Sequence, residues 1–141
     1  MVQFEIEHLS ANQLMEAWPI VRMSDTYAHA DWWAREAAEL IDRGGGVLAV
    51  RVPGGDIQGV ATYEVVKKAL LGRVLAVGAL ITFELSRRAP ARRALCDAID
   101  QLGTAFDCRS LIVPLPSNWH NQRRARALYR HLDFEAPREV G

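Results

Sequence analysis

Polar and apolar positions alternate at the start of the chain, where Phe4 and Ile6 are interleaved with Glu5 and Glu7, and this period of two predicts a short strand with one buried face. The period then changes. Leu14, Ala17, Trp18 and Val21 recur at i, i+3, i+4 and i+7, and Ser10 followed by Gln13 fits a capping box, so a helix is predicted to begin there. Pro19 is expected to kink or end it early, because proline has no N–H to donate. A second helix is predicted with Asp31 as its cap, Trp33, Ala37, Leu40 and Ile41 on its apolar face, and Gly44, Gly45 and Gly46 as its stop.

Beyond the glycines the apolar runs take strand character. Residues 47–52 and 57–66 flank Pro53-Gly54-Gly55-Asp56 and read as an antiparallel hairpin. Lys67, Lys68 and Gly72 mark a second turn before a long apolar run within 73–85, which completes a three-stranded meander. Pro90 suits a first helical turn, and Ala91, Ala94, Leu95, Ala98, Ile99, Leu102 and Phe106 follow at helical spacing. Residues 110–115 read as a buried strand, so strand, helix and strand form a right-handed βαβ crossover. A last helix is predicted over 117–132, with Ala125, Leu128 and Leu132 on one face, followed by at most one short strand. The predicted fold class is α/β (α+β): a mixed, mostly antiparallel sheet flanked by helices, in one domain spanning 1–141.

Composition narrows the functional classes. Half of the 141 residues are hydrophobic, enough for a substantial core, and 17 basic residues balance 17 acidic ones. That balance gives no overall attraction to nucleic acid or anionic membrane. No apolar run approaches the roughly 20 residues of a membrane span, and the start carries no basic-then-apolar leader, so the expected location is the cytoplasm. Cys96 and Cys108 have neither Cys-x-x-Cys spacing nor a partner histidine at ligand spacing, and read as reduced core residues with no metal site.

The segment Ala125-Arg126-Ala127-Leu128-Tyr129-Arg130-His131-Leu132-Asp133-Phe134 resembles the closing helix of the GNAT acetyltransferase superfamily, whose usual form is Ala-x-x-Leu-Tyr-x-x-x-Gly-Phe. The element order is similar to that family's. The resemblance implies transfer of an acetyl group from acetyl-CoA to a small-molecule or peptide amine. It also implies that the CoA pyrophosphate sits at the start of the long helix, where backbone N–H groups and the helix dipole favour an anion. On this chain the cofactor-binding positions so implied are Phe83, Leu85, Arg87, Arg88, Ala89, Ala91, Arg92 and Arg93, with Asn121 at the start of the last helix. The family's Arg/Gln-x-x-Gly-x-Gly/Ala loop is altered: Pro90 and Arg92 stand where its glycines fall. Four arginines flank that helix start and can pair with phosphate in a bidentate way, or form a solvated helix end.

Tyr129 matches the family position that protonates the departing thiolate. Glu84, at the end of the long strand, is the first candidate for the base that takes the ammonium proton, and Glu64 the second. Trp32 falls off the apolar face of its helix and reads as a pocket or dimer-contact residue. Asp133 replaces the family's glycine, and the chain ends before the family's final strand, which leaves a sheet edge for a second copy and makes a homodimer an expected partner. Two readings stand: an N-acetyltransferase, and a binding or regulatory module on the same fold whose altered loop no longer grips CoA. Nucleic-acid binding through the two arginine clusters ranks below both.

Overall fold

The structure, a computed structural model, describes residues 4–24, 27–84 and 88–113. Strand β1, Glu5–His8, is followed by a 3₁₀ segment, Ala11–Ala17, and a single α-helical turn, α1, Trp18–Val21. The uniform helix predicted from the apolar spacing is thus corrected to two short pieces. Pro19 lies in the first turn of α1, where the missing N–H has no helical acceptor to lose, and the tighter 3₁₀ winding occupies the residues before it. The start behaves as expected, since the Ser10 N–H donates to Gln13 Oε1 at 3.0 Å.

Helix α2, Ala30–Asp42, begins two residues earlier than an Asp31 cap requires: His29 is the N-cap and Asp31 lies in the first turn, where its charge complements the helix dipole. Its end is a Schellman turn. Gly44 takes φ +90°, the Gly44 N–H donates to the Ile41 carbonyl at 3.0 Å, and the Gly45 N–H reaches the Leu40 carbonyl at 2.9 Å. Trp33 is fully buried, and its indole N–H donates to the Leu14 carbonyl at 2.8 Å, so the ring joins α2 to the 3₁₀ segment without leaving a buried donor unpaired.

The sheet runs β1-β2-β3-β4-β5, with β2 Gly46–Arg51, β3 Ile57–Lys68, β4 Gly72–Thr82 and β5 Ser110–Ile112. All neighbours are antiparallel except β4 and β5, which are parallel and joined through α3, Pro90–Ala105. The predicted fold class, meander and βαβ crossover are therefore present. Alternation sorts side chains between two layers. Leu48, Val50, Ala61, Tyr63, Leu75 and Val77 face α3 through Ala91, Leu95, Cys96 and Ile99. Val47, Ala49 and Val60 face the 3₁₀ segment, α1 and α2.

One irregularity interrupts the pairing of the two longest strands. The β3–β4 register passes from Thr62 opposite Ala79 to Tyr63 opposite Val77, so Gly78 has no partner on β3. This is a β-bulge in β4, and it falls in the middle of the sheet on the α2 side.

Candidate functional site

Two features of the fold bear on chemistry, one at the start of α3 and one between α2 and the bulge. At the first, Pro90 is the first helical residue, as its fixed φ favours, and Ala89 before it is held in the left-handed region at φ 47°. The Ala91 N–H donates to Glu84 Oε1 at 2.5 Å and the Arg92 N–H to Glu84 Oε2 at 3.3 Å. Glu84 thus places its carboxylate on the amides of the helix start, in the manner of an anion at that position. The helix accepts an oxyanion there even though Pro90 contributes no donor. Arg88 and Arg93 are exposed around it and Arg92 is half-buried.

This arrangement bears on Glu84 as a base. Its carboxylate is committed to two amides, and six residues of the chain, roughly 20 Å when extended, separate it from Gly78. Phe83 is exposed, with its N–H bonded to the Gln58 carbonyl at 2.9 Å. Leu85, Arg87, Asn121 and Tyr129 lie outside the described residues, as does the rest of the closing-helix segment.

The second feature is a cavity of about 270 Å³ between α2 and the bulged strands. Its floor is Thr62 on β3 and Gly78 on β4; its α2 wall carries Glu36, Glu39 and Arg43, and Glu64 of β3 lines it as well. A Cβ added to Gly78 would lie 2.9 Å from Thr62 Oγ1, so the missing side chain is what keeps the floor open. Thr62 is 3% exposed, and its hydroxyl makes no hydrogen bond among the described residues. Glu64 pairs with Arg43 at 3.4 Å across the cavity mouth, a half-exposed contact of little energetic weight.

An aromatic brace positions Glu36. Trp32 Nε1 donates to Glu36 Oε1 at 2.7 Å, and Tyr27 stands edge-on to both Trp32 and Trp33, with ring centroids 6.2 and 5.3 Å away. Burial, and then the Glu36 carboxylate beside it, raise the Tyr27 phenol above its ordinary range, so it remains a neutral donor. Trp32 is 45% exposed and touches the cavity's lining only through its bond to Glu36 and its edge-on contact with Tyr27. Sequence patterns alone assign no role to Tyr27, Glu36, Glu39, Arg43, Thr62 or Gly78. The available signals are an isolated glycine inside an apolar strand run, which marks a bulge, and the i, i+3, i+7 polar stripe on α2.

Both cysteines are free. Burial pushes the Cys96 thiol up to about 12, against a smaller lowering by Arg92, which keeps it from serving as a nucleophile near neutral pH. Among the described residues no cluster of His, Cys, Asp or Glu could hold a metal, and no helix is long and apolar enough to cross a membrane.

No family model matches the sequence, and no curated protein matches it. Solved structures do. A ribosomal-protein-alanine N-acetyltransferase from Brucella melitensis biovar Abortus 2308 superposes with a TM-score of 0.69 at 18% identity, covering 87% of each chain. An aminoglycoside 6'-N-acetyltransferase from Acinetobacter baumannii gives 0.72 at 15% identity, over 94% of this chain and 90% of that one. A second aminoglycoside N-acetyltransferase, solved with CoA, gives 0.75 at 14% identity, over 96% and 90%.

Proposed function

We propose that this chain, which has the fold of the GNAT acetyltransferases, transfers an acetyl group from acetyl-CoA to an amine held in the cavity between α2 and the β4 bulge. The observation that carries this reading is the conjunction on one strand of two features: a bulge that opens a polar cavity, and a strand end whose carboxylate rests on the amides of α3. The neighbours support the kind of reaction, since their names describe N-acetyltransferases and one was solved with CoA. They differ among themselves in acceptor.

In this reading the Ala91 and Arg92 amides receive the pyrophosphate of acetyl-CoA, which displaces the Glu84 carboxylate, while Arg87, Arg88, Arg92 and Arg93 offset its charge. The acceptor must lose a proton before its nitrogen can attack the thioester carbon. Glu64, which lines the cavity, takes that proton directly or through a water. The C–N bond forms, the C–S bond breaks, the departing thiolate takes a proton from Tyr129, the role implied by the closing-helix resemblance, and the second proton of the nitrogen is lost to solvent, from which Tyr129 is reprotonated.

The second reading, a module that no longer uses CoA, draws on one specific observation: the helix start is already satisfied internally by Glu84, and Pro90 offers no N–H. Calorimetric titration with acetyl-CoA, paired with thiol release measured over a panel of amines, separates the two. Saturable binding that weakens in Arg87→Ala and Arg92→Ala, with amine-dependent CoA release, is the expected result. No binding at millimolar acetyl-CoA would leave only the module.

A further inference from the structure

The cavity carries more charge information than an amine acetyltransferase requires. Glu36, Glu39 and Glu64 line it against one cation, Arg43, which leaves two negative charges in excess. The Arg43–Glu64 pair is the looser of the contacts at 3.4 Å, whereas Glu36 is held by the Trp32 indole N–H at 2.7 Å. A carboxylate braced in this way keeps its geometry when a ligand arrives, and little ordering is required of it on binding. Below these carboxylates the Thr62 hydroxyl, 3% exposed, faces the open position at Gly78 without a partner among the described residues. That hydroxyl, open to the cavity floor, is placed to meet a polar group of a ligand there. At about 270 Å³ the space suits a small molecule or one extended side chain.

We infer that the acceptor is a small aliphatic polyamine carrying at least two amino groups. One reaches the Thr62–Gly78 floor, where acetylation takes place, while a second, as ammonium, is bound by Glu36 and Glu39 on α2. Resting on the acetyltransferase reading for its reactive end, the inference stands on the cavity's own charge and shape for the rest. Two excess carboxylates favour a cationic ligand over a neutral one, and they repel an acceptor that bears a phosphate or carboxylate of its own. A second ammonium group matches them with charge-assisted hydrogen bonds.

The test is binding to the ¹⁵N-labelled full chain without acetyl-CoA, using spermidine, 1-aminobutane and O-phosphoethanolamine as probes, followed by turnover with acetyl-CoA. Spermidine is expected to shift the Thr62 and Gly78 amides. The Glu36→Gln/Glu39→Gln variant, its fold checked by an otherwise unchanged spectrum, should bind it roughly ten- to a hundredfold more weakly, as should wild type the monoamine. Equal binding of 1-aminobutane and spermidine, no loss in the double variant, or absence of spermidine binding would overturn the polyamine assignment. Turnover separates the two levels of the reading. Spermidine binding without acetyl transfer removes the enzyme and keeps the cavity, while transfer to 1-aminobutane as efficient as to spermidine keeps the enzyme and removes the polyamine.

Discussion

Glu84 and Gly78 stand on opposite sides of one compromise between stability and use. The Glu84 carboxylate satisfies two helix-start amides that would otherwise need water, a contact of the N-cap kind. Glu84→Gln keeps one acceptor but loses the charge, so it is expected to lower stability by about 1 kcal/mol in denaturant titration. If the pyrophosphate takes the same amides, the same variant binds acetyl-CoA more tightly in calorimetry; weaker binding would show that the carboxylate is no competitor. Gly78 is the converse case. Its substitution by alanine meets only the Thr62 hydroxyl, at 2.9 Å, a single contact to relieve by a small shift. The cost to stability should stay below about 1 kcal/mol, while acetyl transfer falls because the cavity floor is filled. Gly59→Ala provides the contrast: its Cβ would lie 2.7 to 2.9 Å from Val50, Leu95 and Thr82 side chains in a packed layer, so about 1–3 kcal/mol is lost from stability, as overpacking predicts.

Among the elements, those with a strong period or a firm stop were legible. Strand β1, the β2–β3 hairpin, α3 with Pro90 at its first position and the parallel return to β5 all follow from alternation, helical spacing and turn residues. The 3₁₀ segment did not, because apolar residues three apart fit both windings and only local packing around Pro19 separates them. The acceptor-side cavity was also hidden. It depends on a register shift between β3 and β4, a tertiary property, and on which polar face of α2 meets the sheet. What was legible at the α3 end was the arginine-flanked helix start, but not that Glu84 would fill it. The end of α2 gives a prediction at this scale. Gly44 at φ +90° has open space where a Cβ would go, so Gly44→Ala meets conformational strain alone. A loss of about 1–2 kcal/mol is expected in thermal or denaturant unfolding, with weaker ligand binding only to the extent that the end of α2 frays beneath Arg43.

For the molecule as a whole, the groups whose titration burial opposes all point to one limb of the pH–stability curve. Cys96 sits in the layer between α3 and the sheet with its thiol pushed up to about 12, and burial also raises Cys108, Tyr27 and Tyr63 above their ordinary values. In each the folded state holds its proton at a pH where the unfolded chain has released it. Stability from these groups is therefore full below the unfolded value and is lost as pH rises toward the folded one. For Cys96 that window opens near 9.0 and closes near 12. Within it the slope approaches about 1.4 kcal/mol per pH unit. Cys96→Val keeps an apolar side chain of similar size in the layer and removes the titration. Denaturant unfolding at intervals from pH 8 to 11 should show wild type losing stability faster than the variant, so that the difference between them narrows or reverses. Parallel curves would mean that the folded protein tolerates the thiolate, in which case the α3 layer admits water to Cys96 and the thiol regains a chemistry that its burial denies it.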